Sequence, residues 1–137
     1  MLDLATWVER IRTAAVDPQL AADVDAATQA RALPAVVVVP GRETVISAPL
    51  SAGAGARHRV AAEVLVVTGV ARGNQPLGEQ LVDELADLRR PTLTQLINWL
   101  PVGADIEVAW LGGRLLSLTS NALYWVDAFK TEYWWNP

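Results

Sequence analysis

The sequence predicts an α+β fold: a mostly antiparallel sheet of about five or six strands, with helices packed on one face. Three observations predict it. Two β-branched stretches, Pro34 to Pro40 and Arg59 to Arg72, have the length and apolar density of core strands. A leucine stripe downstream of them has helical spacing. Short turn signals then separate three further strand-like runs, so strands cluster around one central helix. A length of 137 residues suits one domain, residues 1–137, with one hydrophobic core.

The elements follow in order. Asp3 is placed to cap a helix, and Leu4, Trp7, Val8 and Ile11 repeat at i, i+3, i+4, i+7, which predicts an amphipathic helix over Leu4–Ala15. Asp17-Pro18 ends it. The Ala- and Asp-rich stretch Gln19–Ala32 fits either a short second helix or an irregular connection. PAVVVVP then reads as a strand buried on both faces. Gly41-Arg42 is expected to turn the chain into a short returning strand over Glu43–Ser47. Ala48–Arg57 has too few large side chains to hold itself down and is expected to be a mobile loop.

In Arg59–Arg72 the alternation puts Val60, Ala62, Val64, Val66 and Thr68 on one face, with Ala61, Glu63, Leu65, Val67 and Val70 nearer the other; Gly69 is the expected site of a bulge. Gly73-Asn74-Gln75-Pro76 reads as a turn. Leu77, Leu81, Leu85 and Leu88 form the helical stripe, broken or kinked at Pro91. A second helical piece follows over Thr92–Trp99, closed by Leu100-Pro101-Val102-Gly103. Ile106–Trp110 reads as a strand, Leu111-Gly112-Gly113 as a hairpin, Arg114–Thr119 as its return, and Ser120-Asn121 as another turn before the last strand, Leu123–Trp135.

Composition removes several function classes. Net charge is −4, Lys130 is the only lysine, and the ten arginines are scattered, so the basic stripe of a nucleic-acid grip is missing. The apolar run Ala35–Val39 is far too short to span a bilayer, and Leu2–Arg12 is too charged for a signal-peptide core, so the protein is expected to stay where it is made. There is no cysteine, hence no disulfide and no thiolate chemistry.

Candidate chemistry is sparse. His58, the only histidine, lies between Arg57 and Arg59, a poor setting for a metal ligand or a general base. Gly53-Ala54-Gly55 lacks both the Lys-Ser/Thr of a phosphate loop and the spacing of a dinucleotide fingerprint. Asp83/Glu84 and Asp105/Glu107 are acid pairs whose default role is solvation. No catalytic, cofactor or metal residues are assigned. No enzyme is expected.

The aromatics are the unusual feature. Ala122–Pro137 holds five Tyr or Trp residues and Phe129. Alternation puts Leu123, Trp125, Phe129, Tyr133 and Trp135 on one face of the last strand, and Tyr124, Val126, Ala128, Lys130, Glu132 and Trp134 on the other. Trp134 and Trp135 therefore point opposite ways, and one core on one side cannot bury both. Each indole presents about 150–250 Å², a solubility liability if left in water. At least one of them is expected to contact another chain.

Three stretches in order carry a resemblance: Trp99-Leu100-Pro101, then Gly112-Gly113-Arg114-Leu115-Leu116, then Tyr124-Trp125-Val126-Asp127-Ala128-Phe129-Lys130-Thr131-Glu132-Tyr133. Together with Leu33-Pro34-Ala35-Val36 and Ala71-Arg72-Gly73-Asn74 upstream, they make the chain similar to the tail terminator proteins of Mu-like and related phages and tailed prophages. The likeness covers most of the chain from Pro34 on. One departure is Asn98, where the family pattern leads us to expect Gly before the Trp.

The resemblance implies a small subunit of a homohexameric ring, located in the virion tail and assembled in the host cytoplasm. Such a ring sits on the last ring of the tail tube protein, stops its polymerisation, and offers the docking surface for the head or its connector. Genomic DNA would pass through the bore without specific binding, helped by negative charge; no membrane is involved. On this reading Tyr133, Trp134 and Trp135 contact a neighbouring subunit or the tube protein. The loop Ser47–His58, with Ser51, Gly53, Gly55 and Arg57, orders on assembly. Arg114, presented by the Gly112-Gly113 hairpin, either pairs with an acid across a subunit boundary or is simply solvated. Two other readings stay open: a neck or head-completion ring protein, and a small α+β enzyme or ligand-binding module using the surroundings of Trp99 and Trp110.

Overall fold

A computed structural model describes residues 2–29, 32–47, 57–72 and 78–136. Residues 48–56 of the loop expected over Ala48–Arg57, the turn at 73–76, and Leu77 lie outside the described residues. Eight elements follow one another: α1 (Leu4–Ile11), β1 (Gln19–Leu20), α2 (Val24–Ala27), β2 (Ala35–Ser47), β3 (His58–Ala71), α3 (Glu79–Leu96), β4 (Ala109–Leu118) and β5 (Ala122–Trp135). The five strands form one sheet in the order β1-β2-β3-β5-β4. β1 is parallel to β2 and every other pairing is antiparallel. The α+β fold with a mostly antiparallel sheet is the one expected from the sequence.

Both sheet faces carry apolar side chains. On the first face Val36, Val38, Val64, Val66 and Phe129 pack against Trp7, Val8 and Ile11 of α1 and Leu96 of α3. Leu81 and Leu85 of α3 extend this layer over Val70 and Leu123. The second face, with Val37, Val39, Val67, Tyr124 and Val126, is covered by Ala27 and Val24 of the one-turn α2. The two longer helices thus share one face, and only α2 lies on the other. This arrangement explains PAVVVVP: Val36 and Val38 face one layer, Val37 and Val39 the other, so no position can be polar.

α1 starts as expected, with the Asp3 carboxylate accepting from the Ala5 N–H at 3.1 Å. It ends at Ile11 rather than Ala15, because the Thr13 hydroxyl accepts the N–H groups of Ala15 and Val16 and supplies a non-helical alternative. Of the break or kink expected at Pro91, the structure shows no break: α3 is one helix from Glu79 to Leu96 with Pro91 inside it, in place of two pieces. Packing holds both sides of the proline, through Leu81 and Leu85 before it and Thr92 and Leu96 after it, and outweighs one lost backbone hydrogen bond. Asn98, just past the Ile97 C-cap, has φ 66°. Asn tolerates this left-handed conformation and fills the role expected of Gly.

Other differences concern glycines. Pro40-Gly41-Arg42 is not a turn; β2 continues through it with a register shift between Pro40 and Glu43. Leu111-Gly112-Gly113 is not a hairpin but lies inside β4, which begins at Ala109 and shifts register between Trp110 and Gly112. Gly69 is not a bulge: the β3–β5 register runs unbroken past it. Consequently Val70 keeps the phase of Val66 and Thr68 and faces α3, not the opposite layer. The turn at Ser120-Asn121 does join β4 to β5.

Phe129, wholly buried between sheet and helices, is the largest fully buried side chain contributed by β5, an interior strand of the sheet. Phe129→Ala is expected to lower unfolding stability by about 3–5 kcal/mol, read from the shift of the urea midpoint.

Candidate assembly interface

On the helix-bearing face β5 carries Asp127, fully buried at 0% exposure. A carboxylate there needs partners, because its desolvation costs several kcal/mol. Arg89 of α3 supplies two, donating from Nε to Oδ2 and from Nη2 to Oδ1, each at 2.8 Å. The indole N–H of Trp110 donates to Oδ1 at 3.2 Å and that of Trp125 at 3.4 Å. The Arg89 guanidinium also lies 4.7 Å from the centre of the Trp125 ring. Gly113 makes room: a Cβ there would sit 2.3 Å from Asp127 Oδ1 and 2.4 Å from Trp125 Nε1. The cluster locks α3, β4 and β5 together. Sequence reasoning did not single out Asp127 or Arg89, although an acid in phase with Trp125 and Phe129 on the core face is itself the signal.

Farther along β5 the sheet extends beyond the helices. Tyr133 is buried beside Val60 and Ala62, and its hydroxyl donates to Glu43 of β2 at 3.1 Å. Burial first, and then the hydrogen bond and negative charge of Glu43, push the Tyr133 phenol above its ordinary value of 10.0. Trp135, 46% exposed, meets His58 edge-on at 5.9 Å between ring centres. With Glu43, Val45, Val60 and Tyr133, these two rings line an open groove of about 420 Å³. His58 thus belongs to the start of β3 rather than to a loop, and its Nδ1 is buried without a hydrogen-bond partner.

Trp134 takes the opposite face, in accord with the alternation. Arg57 and Arg59 place their guanidinium groups 4.6 and 5.2 Å from its ring centre, so the indole is half-buried by its own chain. Arg59 is held in turn by Glu132 of β5. Arg114 is exposed within β4, not on a hairpin tip, and lies across from Val126. Ser51, Gly53 and Gly55 lie outside the described residues. The structure therefore gathers Tyr133 and Trp135 on one face, Trp134 and Arg57 on the other, and leaves Arg114 at the far sheet edge.

The surroundings of Trp99 and Trp110 are otherwise engaged. Trp99 packs edge-on against Trp7 at 5.4 Å with Arg10 over its ring, and Trp110 serves Asp127. Among the described residues no group of three or more His, Cys, Asp or Glu is placed to hold a metal ion, and no helix is long and apolar enough to cross a membrane. What the geometry offers is surface: exposed aromatic and aliphatic groups on a rigid sheet.

The family profile described as "Phage tail terminator protein" matches residues 1–136. The chain belongs to the phage tail terminator family. Among curated proteins, none matches it. Tail terminators are structural proteins of the phage tail, which makes this chain a component of the virion tail that interacts with other tail proteins.

Two outcomes follow from these contacts. Asp127→Leu or Arg89→Met alone should destabilise by about 3–5 kcal/mol, because each leaves a buried charge unpaired. The double variant should lose clearly less than the sum, as read from a double-mutant cycle in urea. For Tyr133 the raised value means that the fold favours the neutral phenol. Its contribution is fully present below about pH 10 and is lost as pH climbs through the raised value. Urea midpoints measured from pH 8 to 11 should therefore fall at the alkaline end, and fall less in Tyr133→Phe.

Proposed function

We propose that this chain assembles as a homohexameric ring that caps the tail tube, stops tube polymerisation, and presents the surface on which the head or its connector docks. The observation that carries this reading is the tail-terminator match over residues 1–136. Two features of the molecule support it. Large apolar groups remain uncovered at the end of the sheet, with Val45 and Trp135 bordering one groove, as an assembling subunit requires. The net charge of −4 suits a bore through which DNA passes without sticking. On this reading Trp135 and Tyr133 face a neighbouring subunit or the tube protein on one side of the sheet. Trp134, braced by Arg57 and Arg59, faces a contact on the other, and assembly takes place in the host cytoplasm.

Removing the gene from its parent phage should leave overlong tails without heads, visible by negative-stain electron microscopy. Tails of normal length would instead assign the protein to the neck. Adding the purified protein to polymerising tube protein should shorten the tubes in a dose-dependent way, and Trp135→Ser should weaken that effect.

A further inference from the structure

We infer that two copies of this chain join through their sheet edges: the outer edge of β4 in one copy adds to the open half of β2 in the next. This rests on the ring reading above and names the contact that would build the ring. β4 is a ten-residue strand at one end of the sheet, paired only with β5. At the other end, β1 covers β2 only at Val37 and Val38. The outer side of β2 beyond that point is open among the described residues.

Both edges expose large apolar side chains to both sides of the sheet. On β4, Trp110, Leu115 and Leu118 are exposed on the helix-bearing face, and Leu111 is 51% exposed on the other. On β2, Val45 is 55% exposed, and Ile46 next to it is 48% exposed. A partner lying flat on either face would cover one set only. A strand added in the plane of the sheet covers both. β4 also lacks the usual protection of a free edge: it contains no lysine, no proline and a single charge, Arg114.

Strand direction, charge and register agree on the partner. β2 is antiparallel to β3, β3 to β5, and β5 to β4, so β4 runs opposite to β2 within one copy. Rotation about an axis along the strands preserves direction. β4 of one copy therefore meets β2 of the next antiparallel, and the alternation continues unbroken around a ring.

Among the described residues Arg114 has no acidic partner, and half-buried Glu63 of β3 has no basic one. Both are on the α2 face, Arg114 across from Val126 and Glu63 across from Lys130 on β5. Gly41 lies between Glu63 and the open edge, and a Cβ there would be 2.9 Å from that of Glu63, so Gly41 puts no side chain in the way of an incoming one. Setting Arg114 opposite Gly41 also sets Trp110 opposite Val45 and Leu111 opposite Thr44. Each of these pairs shares a face, and the bulge of β4 falls beside that of β2.

The chain has no cysteine, so engineered disulfides report this contact directly. Directly opposite antiparallel residues have Cα atoms about 4.5–5.5 Å apart, within disulfide reach. The variant carrying both Leu111→Cys and Thr44→Cys, assembled on tube protein and mildly oxidised, should give a ladder of linked oligomers on non-reducing gels, and either single variant should give none. Rings of correct mass that yield no ladder would overturn the edge contact while sparing the ring. Efficient linking of one single variant would replace it with two-fold pairing of like edges. A protein that stays single-copy with and without tube protein would overturn both the contact and the ring. As a second measure, Arg114→Glu should cut the assembled fraction about tenfold or more, and adding Glu63→Arg should restore it. Restoration that fails, with both variants folded by circular dichroism, would remove the ion pair and this register.

Discussion

Asp127 brings a carboxylate into the middle of a sheet where no water reaches it, and four N–H groups from three elements converge on its two oxygens. Three of these donors meet at Oδ1 and one at Oδ2. Much else follows from that requirement. α3 must present Arg89 at one height, which sets how the helix lies across β5. β4 must carry Trp110 at its rim with the indole turned inward, and Gly113 must lack a side chain. Trp125 is used twice, as a donor through its N–H and as a face for the guanidinium. The half-exposed rim tryptophan therefore has an internal reason as well as any external one.

Beyond this cluster the molecule divides into a covered part and an overhang. The helices reach Phe129 and Leu123 but not the far ends of β2, β3 and β5. Two adjacent indoles in the overhang are treated differently. Trp134 is bracketed by two arginines of its own chain, while Trp135 meets the edge of His58 and stays 46% exposed. Cation–π cover of this kind keeps a ring soluble without removing it from reach. A tail protein must remain dispersed until it meets its site and then bind firmly, and such partial cover serves both needs.

Much of the fold was legible in the sequence because it rests on periodicity. The i, i+3, i+4, i+7 series of α1, the four valines of β2 and the alternation along β5 each appear where the pattern put them. The misreadings share one cause: residues whose local meaning is ambiguous until neighbours are known. Gly112-Gly113 resembles a hairpin, yet Gly112 is at a bulge with φ 117° and Gly113 is small because Asp127 and Trp125 crowd it. Pro91 reads as a break or a kink, yet packing on both sides carries α3 through without a break. β1 is two residues long and has no pattern to find. Of the interface candidates, the opposed directions of Trp134 and Trp135 were readable from period two alone. The arginine bracket around Trp134 and the pairing of Tyr133 with Glu43 were not, since they join residues from different strands.

The place of β5 has a consequence for synthesis. It is made after the other four strands yet sits inside the sheet, between β3 and β4. A ribosome that has finished β4 has therefore produced β1-β2-β3 and β4 without the strand that pairs with both. Neither Arg89 nor Trp110 has its acceptor until Asp127 emerges. The inner edges of β3 and β4 therefore stay unpaired until β5 emerges, and the sheet closes only with the last strand made.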